Sequence, residues 1–348
     1  MKMEFNKNIQ IDSAMISPVS RAFIIAEAGV NHNGDMQLAR QLVDVAAEAG
    51  VDAVKFQTFK SDDLILKNID KAPYQKVTTD KKESQYDMLK RLEITKEQTA
   101  ELMEYCRKKH LIFLSTPFEK ASLDELDDLG VCAFKVAATD LTNIQFLRQV
   151  AAKGKPIILS AGMCYLEEVK QALAAVYAFN KDIILLQCTA NYPIRDSEAN
   201  LNVIRTFQDT FAINVGYSDH SQGIGAAPYA VAMGAKVIEK HFTLDKDMSG
   251  PDHKASVTPE ELKKLVEDIR RVESYMGDGI KIPTYAEQMT RKSLQKCLVA
   301  KRKIKAGERF NEENIVAKRT NGVGISALYY DDVIGSKAEQ GYDADEII

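Results

Sequence analysis

Two strand-like runs, Ile213 to Asp219 and Lys236 to Thr243, each deliver a histidine to their C-terminal ends, His220 and His241, in a chain with only five histidines. Neutral imidazole is a favoured ligand for Mn, Fe, Co and Zn, so two imidazoles converging from neighbouring strands can hold a divalent ion that polarises a substrate carbonyl. A lone His220 would read as a core histidine bonded to a backbone carbonyl. Its pairing with His241 turns the reading toward metal. Lys55 and Lys135 are the second signal, because each sits in an apolar run where an ammonium is costly without an anion beside it. With several strand-end Ser and Thr hydroxyls as neutral donors, the two lysines make a clamp for a phosphorylated, carboxylated substrate. A Schiff base on Lys135 or Lys240 is the competing use of a barrel lysine, but that chemistry does not require paired histidines. His110 follows a Lys-Lys run and reads as a surface residue, whereas His32 and His253 read equally well as site residues or loop-ordering residues. P-loop and dinucleotide fingerprints are absent.

Eight short β-branched runs must position these groups, near residues 23–29, 53–59, 112–118, 133–139, 156–162, 183–189, 213–219 and 236–243. Helix-length segments with apolar residues at i, i+3, i+4 and i+7 lie between them. The first carries Ala39, Leu42, Val43 and Ala46, with Asp35 near its start and Gly50 past its end. The last opens on a Thr258/Glu261 capping box with Pro259 at the first helical position, and buries Leu262, Leu265, Val266, Ile269 and Val272. Continuous apolar runs such as FIIA, PIIL and IILL fit strands buried on both faces. The expected fold is therefore a (β/α)8 barrel spanning residues 1–276, with residues 1–21 as an N-terminal extension.

Active sites of such barrels lie at the C-terminal strand ends. Those ends offer Glu27, then Lys55 and Gln57, Ser115 and Thr116, Lys135 with Thr139 and Asp140, and Ser160. They continue with Thr189 and Tyr192, then Ser218-Asp219-His220 and Glu239-Lys240-His241. The connection from Phe59 to the capping pair Thr95 and Gln98 spends about 35 residues where a few suffice. It is expected to cover the substrate, and carries Tyr74, Tyr86, Met88 and Leu89. A Gly/Pro-bearing linker, residues 277–289, leads to a block of different texture at 290–348. That block is small enough to need docking on a barrel, its own or a partner's.

A chain of 348 residues, 45% hydrophobic and 28% charged, is an ordinary globular composition, and a net charge of −4 gives no general reason for nucleic-acid binding. Five cysteines without a CxxC pair fit a reduced, cytoplasmic protein. No segment approaches the roughly 20 apolar residues of a membrane span.

The strings AEAGVNHNGD, VKFQTF, FLSTPF, FKVAATD, LSAGM, CTANYP, GYSDHS, EKHFTLDKDMSGPDHKAS and KRTNGVGIS, in this order, resemble the sialic acid synthase family over nearly the whole chain. These are the phosphoenolpyruvate-dependent nonulosonate synthases. The resemblance implies a TIM barrel followed by a C-terminal SAF (antifreeze-like) domain, and condensation of phosphoenolpyruvate with open-chain N-acetylmannosamine with phosphate release. The sister reaction uses a 2,4-diacetamido-2,4,6-trideoxymannose to give diacetyllegionaminate, and a distant alternative is a non-catalytic sugar-binding protein. His220 and His241 match metal ligands, Mn2+ foremost with Mg2+ or Co2+ as alternatives. Lys55, Thr116, Lys135, Ser160 and Ser218 match phosphoenolpyruvate-binding positions. Glu27, Gln57, Asp140, Tyr192 and Asp252 match positions facing the sugar and the reacting carbons. Arg319 matches an arginine that reaches the partner's barrel in a domain-swapped homodimer. Ala138, Ala190 and Thr320 depart from the family pattern, where serine, a polar residue and proline are usual.

Overall fold

The computed structural model describes residues 3–73, 75–80 and 82–348; Tyr74, read into the covering lobe, lies outside them. The chain divides into two compact units, Met1–Gly277 and Asp278–Ile348.

The first unit opens with a hairpin of β1 (Ile9–Ile11) and β2 (Ala14–Ile16). Eight parallel strands follow: β3 (Phe23–Gly29), β4 (Ala53–Thr58), β5 (Ile112–Pro117), β6 (Phe134–Val136), β7 (Ile157–Ser160), β8 (Ile183–Cys188), β9 (Asn214–Asp219) and β10 (Val237–His241). The first of these pairs with the last, so the order β5-β4-β3-β10-β9-β8-β7-β6 forms a nearly closed barrel whose seam lies between β5 and β6. The eight runs read from the sequence are these eight strands.

Alternation along each strand builds two layers. Ile25, Ala53, Leu114, Ile158, Leu186 and Val237 fill the interior together with Ile9, Ile11 and Ile16, so the hairpin packs into the barrel core. The opposite faces, Ile24, Val54, Val136, Leu159, Leu185 and Ile238, pack with the surrounding helices. Two of these helices follow the sequence closely. Asp35 caps Met36–Ala49 by accepting from the Gln37 amide, and Gly50 ends it at φ 76°. The Thr258/Glu261 capping box starts Pro259–Met276.

The long β4 connection is structured as short helices, Ser61–Leu64, Gln75–Thr78 and Gln85–Lys90, ahead of a helix capped by the Thr95/Gln98 box. Its Met88 and Leu92 are buried against Val30 and Phe59 at the strand ends. In the second unit, β11 (Lys296–Ala300) pairs antiparallel with β12 (Ile315–Arg319) around Leu298, Ile304, Phe310 and Ile315. The segment read as linker turns helical at Tyr285, where a Thr284/Glu287 capping box starts Tyr285–Leu294.

Candidate active site

Every barrel strand sends at least one inward side chain to the same cavity: Glu27, Lys55, Thr116, Lys135, Ser160, Cys188, Ser218 and Glu239, with Gln57 and His241 as second contributions from β4 and β10. Register explains the convergence. His241 lies opposite Glu27, and Glu27 opposite Lys55; Cys188 lies opposite Ser218, and Ser218 opposite Glu239. The cavity is about 430 Å3, within the roughly 300–1,000 Å3 of small-molecule sites.

Its floor is a buried charge network. Lys55 Nζ lies 2.9 Å from Glu27 Oε2, 2.9 Å from Thr116 Oγ1 and 3.6 Å from Glu239 Oε2. Lys135 Nζ donates to Ser160 Oγ at 2.7 Å and lies 3.8 Å from Glu239 Oε1. Glu239 thus stands between both lysines and also accepts from Ser218 Oγ at 2.9 Å. Burial alone would raise its pKa, but Lys135 and Lys55 prevail and hold it down to about 2. Glu27 goes the other way, pushed up to about 7 by burial, with Glu239 adding to the effect against Lys55. Burial works against the Lys55 ammonium, yet Glu239 and Glu27 hold its pKa above the usual value; burial lowers that of Lys135. Cys188, its thiol pushed up to about 12 by burial, is a neutral wall residue and no nucleophile.

The two imidazoles lie above this floor, their ring centroids 5.7 Å apart, with the Tyr192 ring 4.0 Å from His220 and 5.4 Å from His241. His220 Nδ1 donates to the Thr189 carbonyl at 2.8 Å, which selects the tautomer with a bare Nε2. Burial pushes the His220 pKa down to about 4 and that of His241 well below its ordinary value, so both rings are neutral near pH 7. His241 Nδ1 is buried without a hydrogen-bond partner among the described residues. Neutral rings with nitrogen lone pairs fit a borderline divalent ion, although Ser218 Oγ stands 3.4 Å from His220 Nε2. Among the described residues no cluster of three His, Cys, Asp or Glu side chains is arranged for a metal.

Gly29, at the shift in register between β3 and β4, makes room for this grouping. Its φ is +54°, and a Cβ there would stand 3.3 Å from Glu27 Oε1 and 3.4 Å from His241 Cε1.

Gln57 donates to Glu27 Oε1 at 3.2 Å, and Gln57, Tyr192 and Asp252 all line the cavity. One expected residue is absent from the lining: Asp140 lies just beyond the wall residue Thr139, whose hydroxyl donates to its carboxylate at 3.2 Å. Arg319, expected in a partner's barrel, is exposed in the second unit. Ala138 and Ala190 do line the wall, close enough to Gly162 that a Cβ there would meet them at 3.0 and 3.2 Å. Lys240 turns to the opposite face of β10 and pairs with Asp219 at 3.3 Å, which removes it as a Schiff-base lysine for this cavity. His32 and His253 are loop-ordering residues: His32 Nδ1 accepts from the Gly34 amide at 3.0 Å, and His253 contacts Thr243 Oγ1 at 2.6 Å and Asn33 Oδ1 at 3.2 Å. Glu239 is a site residue that carries no role in the sequence reading; its place two residues before His241 on one strand face is the signal for it.

A parallel (β/α)8 barrel whose polar residues gather at the C-terminal strand ends defines the TIM-barrel class of protein. Residues 42–281 match the NeuB family and residues 295–348 the SAF domain, and the chain belongs to the NeuB family of nonulosonate synthases. It is 46% identical to N,N'-diacetyllegionaminic acid synthase of Campylobacter jejuni, covering 95% of this chain and 99% of that protein. A protein of the same description from Legionella pneumophila is 43% identical, covering 92% of each chain. The solved structure of a sialic acid synthetase from Leptospira borgpetersenii, in complex with citrate, aligns with TM-score 0.73 at 34% identity, covering 84% of this chain and 98% of that one.

Proposed function

We propose that this enzyme condenses phosphoenolpyruvate with 2,4-diacetamido-2,4,6-trideoxymannose, releasing phosphate and forming diacetyllegionaminate. The observation that carries the reading is the floor itself. Lys55 and Lys135, with Thr116, Ser160 and Ser218, present cations and neutral donors to a substrate bearing phosphate and carboxylate, directly beside two neutral imidazoles.

The likeness to the two legionaminate synthases supports the diacetamido sugar over N-acetylmannosamine. So does the wall. Val30, Phe59, Leu64, Met88 and Leu89 suit a sugar with acetamido methyls and a 6-deoxy carbon, and Lys55 and Lys135 are the cations lining the cavity among the described residues. A sugar phosphate would need more positive charge than these two floor lysines supply.

In this reading His220 and His241 would hold a divalent ion, Mn2+ foremost, which would supply Lewis-acid polarisation of the open-chain sugar's aldehyde. The lysine clamp orients the enol carbon toward the aldehyde carbon, and positioning of this kind can supply on the order of 7–11 kcal/mol of the barrier. Water then adds to the cationic carbon that bears the phosphate, and Glu27, with its pKa near 7, is suited to take the proton before phosphate departs. The exposed Arg319 is assigned to the N-acyl group in a partner's barrel, which makes the working enzyme a domain-swapped homodimer, as the family resemblance implies. Phosphate release followed with both sugars and Mn2+ tests the proposal. Turnover of N-acetylmannosamine alone would assign N-acetylneuraminate synthesis instead.

A further inference from the structure

The barrel has another cavity at its opposite end. It opens at the N-terminal strand ends, lined by Ala22 ahead of β3, Ile213 to Val215 at the start of β9, and Ala235 with Lys236 ahead of β10. Its volume is about 540 Å3, against about 430 Å3 for the active-site cavity, and lies within the roughly 300–1,000 Å3 of small-molecule sites. The condensation chemistry makes no use of it.

Four charged side chains line this cavity: Lys7, Arg21, Lys236 and Glu273. Two of them are compensated, because Arg21 pairs with Asp52 at 2.6 Å and Glu273 with Arg270 at 3.0 Å. Lys7 and Lys236 are left over. Among the described residues neither forms an ion pair, and each gives one N–H to a backbone carbonyl, Lys7 to Ala212 and Lys236 to Ser20 at 2.8 Å. An ammonium has three donors, so two on each lysine stay open. Burial lowers both pKa values, at Lys236 against the pull of Glu273. The active-site floor is the contrast, since Lys55 and Lys135 there share Glu239.

The backbone around both lysines is held. Buried Asn214 donates to the Lys7 carbonyl at 2.8 Å and Asn6 Nδ2 to Asp182 Oδ1 at 2.7 Å, while the Lys236 amide donates to the Val215 carbonyl at 2.7 Å. Gln208 adds a neutral carboxamide, its Nε2 2.8 Å from where a Cβ on Gly234 would stand. Ile213, Val231 and Met276 supply hydrocarbon. Two open ammonium groups, an amide and an apolar wall fit an oxyanion on a compact organic body, and lysine as a point charge takes phosphate and carboxylate alike.

We propose that this cavity is a second ligand site, in which Lys7 and Lys236 bind the phosphate or carboxylate of a small organic anion. The assignment stands independently of which sugar the active site takes.

The test titrates the full-length enzyme calorimetrically with inorganic phosphate and, separately, with pyruvate. The active-site lysines bind the same ions, so the wild type should show two classes of site per chain, of which one depends on the lysines at the opposite end. Lys7→Met and Lys236→Met should each weaken that class at least about tenfold, and either serves if the other fails to fold. Lys181→Met, at the same end of the barrel but outside the cavity, is the control. Response to phosphate alone marks a phosphate ligand and response to pyruvate alone a carboxylate, and both outcomes support the site. A single class in the wild type, or a second class that both methionine variants leave unchanged or that Lys181→Met weakens equally, overturns it. Absence of phosphate release with either sugar would defeat the synthase reading and leave this site standing, because the calorimetry needs no turnover.

Discussion

Lys240 and Asp219 form an ion pair at 3.3 Å with neither side chain exposed, on the face of β9 and β10 opposite the two histidines. Lys240 Nζ also donates to the Ser221 carbonyl at 2.5 Å, and Asp219 Oδ1 accepts from the Ser221 amide at 2.9 Å. Both neighbours of His220 are thereby tied to the residue preceding His241. Removing one charge of a buried pair leaves the other uncompensated, so Lys240→Met should cost about 3–5 kcal/mol in urea unfolding. Asp219→Asn in the Lys240→Met background keeps the acceptor for the Ser221 amide and should recover much of that loss. A single-variant cost below about 1 kcal/mol would show that the pair contributes little.

Glu239 shares its carboxylate between the two floor lysines, so Glu239→Gln should lower stability by roughly 2–4 kcal/mol while keeping a partner for Ser218. An anionic ligand restores the missing charge. Inorganic phosphate should therefore raise the melting midpoint of the variant more than that of the wild type, as read in a thermal titration. Equal shifts in the two proteins would refute the compensating role of Glu239.

His241→Ala and His220→Ala should each weaken Mn2+ binding by at least about 10–100-fold, measured calorimetrically, and abolish metal-dependent phosphate release while leaving the fold intact. Unchanged turnover in either variant would defeat the metal assignment.

Asp140 should impose a pH dependence on stability. Burial pushes its pKa up to about 6 from an ordinary 3.8, so the folded state holds a proton between those values that the unfolded state has released. Its contribution to stability therefore falls as pH rises through this window and levels off above about 6. Asp140→Asn removes that dependence, and the gap in melting midpoint between variant and wild type should widen from pH 4 to pH 6. A constant gap would mean that Asp140 ionises normally.

The fold was legible because its signals are local. Asp35 and Gly50 bound one helix, the Thr258/Glu261 box starts another, and continuous apolar runs mark strands covered on both faces. The site was partly legible, since ionisable residues in apolar strands stand out. Glu239 escaped because its importance lies in standing between Lys55 and Lys135, which come from two other strands far from it in sequence. The opposite error was possible at Lys240, which sits between two site residues in sequence yet faces away from them.

Taken alone, the sequence determined the eight strand and helix repeats and the family, and it singled out the histidine and lysine pairs as candidates, because residue type and periodicity encode these within short windows. Tertiary structure decided which carboxylate joins the two lysines, which way Lys240 points, and that Asp140 stands off the cavity. Those outcomes depend on register between strands and on barrel closure, which bring distant side chains within a few ångströms of one another.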